Sequence, residues 1–128
     1  MNIFDFRRIH PQLMANERGI ELALAQEYIT HFNGNIVEVG AVTPYYLNDI
    51  LHPVVDPFDA WPRCIKEDAE KYDFTGQNVL CISTVEHMGR GDYGNTDIDP
   101  QKAERFLQKL IREANSFLIT WPVASNKE

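Results

Sequence analysis

The chain has 128 residues, a net charge of −7 and 44% apolar residues, values that fit one globular domain spanning 1–128 and exclude a disordered chain. Its basic residues are scattered, with only Arg7-Arg8 adjacent, which with the negative net charge argues against a phosphate-backbone binder, so no nucleic-acid partner is expected. Two cysteines, Cys64 and Cys81, give no disulfide framework; no apolar run approaches the roughly 20 residues of a membrane span, and Met1–Arg8 interleaves acid with base unlike a signal peptide, so a cytoplasmic protein without a membrane partner is expected.

Residues 1–16 read as an irregular N-terminal segment, broken by His10-Pro11. Residues 17–32 read as a helix, because Ile20, Leu24, Tyr28 and Phe32 recur every four residues with Ala25 and Ile29 beside them. Asn16 caps its start and Asn33-Gly34 ends it. Ile36–Val39 is a short buried strand. Thr43-Pro44 supplies a cap and a first-position proline, predicting a short helix over Pro44–Leu51. Val54-Val55 is the next strand and 57–62 a loop. Arg63–Ala69 reads as a short strand ending in Glu67-Asp68, with a helix running to Tyr72 as the alternative. Residues 79–84 form a buried strand, and 88–98, rich in Gly, Asp and Asn, a loop. Asp99-Pro100 opens a second helix, whose apolar face is Ala103, Phe106, Leu107, Leu110, Ile111 and Ala114. Ser116–Trp121 is a last strand, stopped by Pro122. Strands alternating with helices give an α/β class with a parallel sheet, and right-handed connections place helices on both faces.

In such sheets ligands bind at the carboxyl ends of the strands. A dinucleotide fingerprint starting at Gly40 needs glycines where Val42 and Tyr45 stand, and no P-loop is present, which disfavours NAD and ATP. Carboxylates follow three successive strands: Glu38, Asp56, and Glu67 or Asp68. Asp56 can accept both hydroxyls of a ribose, Glu67 or Asp68 an adenine amino group, and Glu38 can favour an ammonium or sulfonium.

Taken together, Glu38-Val39-Gly40, Val54-Val55-Asp56-Pro57, Cys64-Ile65-Lys66-Glu67-Asp68, Ser83-Thr84-Val85-Glu86-His87 and Leu118-Ile119-Thr120-Trp121-Pro122 resemble, in order and spacing, the class I S-adenosylmethionine-dependent methyltransferases. The resemblance spans residues 17–124. It implies a three-layer Rossmann-like sandwich, with a mostly parallel sheet of about five strands in the order 3-2-1-4-5. It also implies S-adenosylmethionine as cofactor. Glu38 and Gly40 would line the methionine part, Asp56 the ribose, Asp68 or Glu67 the adenine edge, and Ser83 the floor. Glu86 and His87 would face the acceptor, a small molecule, sugar or protein. The family's glycine-rich loop is reduced here to Gly40. The family also continues past its fifth strand with a helix and an antiparallel strand pair. Without them, Phe117–Trp121 is expected to be an apolar edge, and a homodimer through 117–121 or a truncated reading frame would account for it.

His87, with an unperturbed pKa near neutrality, is the candidate general base, with Glu86 to orient it. Cys64, Cys81 and His87 lack the spacing of a zinc site. Asp92, Asp97 and Asp99 read as turn and cap acids, since Gln108 stands where a calcium loop needs glutamate. The 88–98 loop, with Arg90 and Tyr93, is placed to act as a lid. Tyr45 and Trp61 are candidate stacking partners. The competing reading is a non-catalytic cofactor-binding or interaction protein of the same fold.

Overall fold

The computed structural model describes residues 17–91 and 98–121. The expected irregular segment 1–16, and Asp92, Tyr93, Asp97 and Pro122 of the expectations above, lie outside the described residues. The chain runs α1 (Glu17–His31), β1 (Val37–Val39), β2 (Val54–Val55), β3 (Asn78–Ile82), α2 (Lys102–Glu113) and β4 (Ser116–Thr120). All four strands are parallel, in the order β2-β1-β3-β4. None of the helices among the described residues is long and apolar enough to cross a membrane.

Each helix covers one face of the sheet, and the alternation along β3 decides which. Val79 and Cys81 join Phe106 and Leu110 of α2, with Val37, Val39 and Val55. Leu80 and Ile82 join Ala25, with Tyr28, Ile29 and Phe32 of α1 packed alongside. β3 is therefore buried on both sides, as its continuous apolar run requires. The helix end predicted at Asn33-Gly34 forms as a left-handed stop: both residues have positive φ, and Gly34 N–H reaches Ile29 O at 2.8 Å.

The structure corrects six expectations. Among the described residues the sheet has four strands, in the order β2-β1-β3-β4, not about five in the order 3-2-1-4-5. Arg63–Ala69 contributes only a parallel bridge at Ile65, which exchanges bonds with Val54 and Asp56; Lys66-Glu67-Asp68 offers no apolar pair to extend it. Pro44–Leu51 is not a helix. One 3-10 turn, Thr43–Tyr45, is followed by bends through Asp49 (φ 57°), because so short a segment is a poor nucleus and its cap hydroxyl is engaged elsewhere. Ile20 and Leu24 are partly exposed, with Leu22, Ala23 and Ala25 buried instead. A strict four-residue spacing drifts by about 40° per step around a 3.6-residue helix, so it cannot keep one face. Ile111 is exposed. Finally, α2 begins at Lys102, with the Asp99 carboxylate accepting Gln101 N–H one turn ahead.

The crossover points of the chain meet beside Gly40. From β1 the chain moves to β2 on one side, while β3 pairs on the other. Gly40 ends β1 with φ +84°, and a Cβ there would lie 2.1 Å from Thr84 Oγ1, at the end of β3. Any side chain at Gly40 would have to displace the Thr84 side chain. Gly40→Ala is expected to cost about 1–2 kcal/mol from the left-handed backbone and about 1–3 kcal/mol more from displacing Thr84. Urea unfolding checks this; a loss below about 0.5 kcal/mol, the level of an ordinary surface change, would show that the approach is not tight.

Candidate functional site

A cleft of about 610 Å³ opens at the carboxyl ends of the strands, within the range of small-ligand sites. It lies at the switch point between β1 and β3, where parallel sheets take their ligands. Gly40, Asp56, Asp68, Ser83, Glu86 and His87 line it. Glu38 and Glu67 do not.

Glu38 lies beneath the cleft wall and is fully buried. Its Oε2 accepts Val42 N–H (3.1 Å) and Thr43 N–H (2.9 Å). Its Oε1 accepts the Thr43 hydroxyl and lies 2.8 Å from His52 Nε2, itself buried. All four acceptor positions of the carboxylate are filled, leaving none for a ligand. Glu38 shapes the loop after β1 rather than touching what the cleft holds.

Asp56 divides its bonds. Its Oδ1 accepts Phe58 and Asp59 N–H, and its Oδ2 accepts Ala41 N–H at 3.0 Å. The carboxylate thus ties the loop after β2 to the loop after β1 and keeps one acceptor position, on Oδ2. Asp68 accepts Glu70 N–H on Oδ1 and Lys102 Nζ (2.7 Å) on Oδ2, with one position left on each oxygen. Ser83 has φ 45° and donates its hydroxyl to Glu21. A strained non-glycine residue directly after a central strand is the kind of outlier that accompanies functional sites. Glu86 Oε2 lies 3.8 Å from His87 Nε2.

Sequence reasoning missed Arg18, Tyr46, Phe58, Asp59, Thr84 and Lys102, all of which line the cleft. Tyr45 lines it, and its hydroxyl donates to Asp59 at 2.5 Å. Trp61 does not line it; it lies under the Arg63 guanidinium at 4.8 Å. Tyr45, Tyr46 and Phe58 are half-exposed and give the mouth an apolar rim.

The electrostatics are acidic. Asp56, Asp59, Asp68 and Glu86 stand against Arg18 and Lys102, and Lys102 is paired with Asp68 and Glu70. Neighbouring groups register this field. The Tyr45 hydroxyl is pushed up to about 12 by its bond to Asp59. The Cys64 thiol rises to about 11 through burial, with Asp56 and Asp59 adding to it. The buried Cys81 thiol is raised by burial and then by the charges of Glu38 and Glu86. Among the described residues, no group of three or more His, Cys, Asp or Glu side chains could hold a metal ion.

The chain matches no protein-family model, and comparison with curated proteins and with solved structures returns no match. The functional reading therefore stands on the geometry of the cleft.

Two outcomes test that geometry. Glu38→Gln turns an amide NH₂ toward groups that now donate to a carboxylate, so it is expected to cost about 1–3 kcal/mol, measured by urea unfolding; wild-type stability would show that the loop holds itself. The second outcome concerns the cleft wall, where Glu70 bonds Arg105 and Lys102 and ties the segment after Ile65 to α2. The bond to Arg105 holds the Glu70 carboxyl down from 4.5 to about 2. Because the folded value is depressed, this contribution is complete above pH 4.5 and is lost as pH falls towards 2. The melting-temperature gap between wild type and Glu70→Gln should shrink across that window, and a gap independent of pH would contradict the pairing.

Proposed function

We propose that the cleft binds S-adenosylmethionine and presents its methyl group to a nucleophilic acceptor. The observation that carries the reading is an acidic cleft at the switch point of a parallel sheet. Such a lining favours a cationic ligand and repels the phosphates of a dinucleotide or nucleoside triphosphate. A nucleoside that carries a positive sulfonium satisfies both demands. The bridge at Ile65 stands where the fuller sheet of the resembled methyltransferases has its third strand, and Asp68 follows it into the cleft.

The residues present fit the group. The free position on Asp56 Oδ2 accepts one ribose hydroxyl; holding both hydroxyls would require the release of Phe58 or Asp59 N–H. Asp68 accepts an adenine amino hydrogen while keeping Lys102. Tyr45 and Phe58 supply apolar surface for the base at the rim. When bound, the cofactor supplies a methyl group already activated by positive sulfur. What remains for the chain is alignment of the acceptor at attack distance and custody of any proton the acceptor loses. His87, half-exposed at the cleft with Glu86 beside it, is the group that takes that proton. The acceptor class is a small molecule, a sugar or a protein.

Calorimetric titration of the chain with S-adenosylhomocysteine tests the reading. Saturable binding is expected, and Asp56→Asn should weaken it about 10- to 100-fold, the value of a hydrogen bond to a charged group. Absence of binding at millimolar ligand would falsify the cofactor assignment. Unchanged affinity in Asp56→Asn would remove the ribose contact alone.

A further inference from the structure

Among the described residues, β4 pairs with β3 alone, in parallel, from Ser116 to Thr120. Its other edge is open. Ser83 N–H reaches Thr120 O at 2.9 Å. Peptide groups alternate in direction along a strand, so Ser116, Leu118 and Thr120 serve β3, and the N–H and C=O of Phe117 and Ile119 point outward. Such an edge is a template for another strand, and chains that keep an edge single protect it with a charge, a proline or a bulge. β4, Ser-Phe-Leu-Ile-Thr, has no charge and no proline, and its register against β3 runs unbroken.

The side chains around this edge are apolar and uncovered. Phe117 is 43% exposed and Trp121, just past the strand, 58%. On α1, Ile20 and Leu24 are 38% and 36% exposed. Leu24 and Tyr28 form with Leu118 a shallow hollow of about 240 Å³, which Glu27 and His31 also line. Leu118 packs on the α1 side of the sheet and Ile119 on the α2 side. The strand therefore offers apolar atoms on both faces at once.

We propose that β4 is a homodimer interface, pairing antiparallel with β4 of a second copy about a two-fold axis at Leu118. The open groups are backbone donors and acceptors in a row, which a strand fills. The strand is also complementary to its own reverse. With Leu118 opposite Leu118, Phe117 falls opposite Ile119 and exchanges two ladder bonds with it, and the symmetry repeats the exchange. Apolar side chains then face apolar ones. Ser116 falls opposite Thr120, each already bonded within its own copy. No like charges meet along the strand. An axis perpendicular to the sheet keeps both α1 helices on one face, which brings the hollow at Leu24 beside Leu118 of the other copy. Phe117 and Trp121, whose whole side chains span about 150–250 Å² each, are covered together with Ile20, Leu24 and the ladder. The contact reaches about 1,000 Å² in total, the lower end for a specific interface, so the dimer is weak.

Sedimentation equilibrium from about 1 μM to 1 mM is expected to show monomer and dimer in exchange. Phe117→Lys places a charge on the edge and should weaken the dimer at least 10-fold. Leu24→Glu, on the helix flank, should act in the same direction. Circular dichroism checks that each variant is folded. Disulfide formation in a Cys64→Ser background reads the register. Opposed Cα atoms of a non-hydrogen-bonded pair lie about 4.5 Å apart, within disulfide range. Leu118→Cys should therefore cross-link to itself under mild oxidant, whereas Phe117→Cys, which faces Ile119, should not. A chain that stays monomeric at about 1 mM overturns the proposal, including the case in which residues 1–16 of the same chain fill the edge. So does a dimer that both charge variants leave intact, or one in which Phe117→Cys cross-links and Leu118→Cys does not.

Discussion

The Glu38 carboxylate has no access to water and sits at the middle of a parallel strand, so every lone pair must find a donor inside the protein. The donors come from the segment that follows: the backbone of Val42 and Thr43, the Thr43 hydroxyl and the ring of His52. That demand folds the chain back on β1 within five residues and delivers it to β2. It also removes the Thr43 hydroxyl and two backbone donors from any helix beginning there. The loop that results carries Ala41, Val42, Tyr45 and Tyr46 along one side of the cleft. Gly40 and Thr84 set the second boundary, where the ends of β1 and β3 approach too closely for a Cβ. The shape of the cleft follows from these two constraints before any ligand is considered.

A second layer of bonding holds the opposite wall. Lys102 and Arg105 at the start of α2 reach across to Asp68, Glu70 and Asp99. Exposed ion pairs contribute little singly, and networks contribute more. Their consequence here is positional: a stretch with only one sheet bridge is kept against the helix, with Asp68 at the cleft. Lys102, the lysine that lines the cleft, is taken up in this network.

Strands and helices with strong patterns were legible in the sequence. Val79–Ile82 could only be a buried strand, and Asn33-Gly34 only a helix stop. The cleft's address was legible too, since parallel strands fix the end at which ligands bind. The irregular segments were not. Pro44–Leu51 has the cap and proline of a helix start, but a long-range claim by Glu38 overrides that local signal. Arg63–Ala69 has one apolar residue facing β2, too little to make a strand. Ile20 and Leu24 followed a spacing that drifts around the helix. Arg18 gave no motif, because its place in the cleft depends on Glu21 meeting Ser83 and Thr120, contacts separated by 62 and 99 residues in sequence.

Sequence position makes the carboxylates look alike. Glu38, Asp56, Asp68 and Glu86 all lie on or after strands that end at one cleft. Counting filled acceptor positions separates them. Glu38 has none left, so it is a structural element of the loop. Asp56 has one and Asp68 two, so each can hold a ligand while still tying its own loop. Glu86, on a partly exposed side chain, keeps one shielded oxygen without a hydrogen-bond partner. The ordering reverses the expectation from the motif, in which the acid nearest the glycine was to meet the positive group. A buried acid saturated by backbone donors exerts its field on the cleft but cannot form a contact there, whereas an acid with an unpaired oxygen can. Glu38, saturated by the loop that follows it, serves to build the wall.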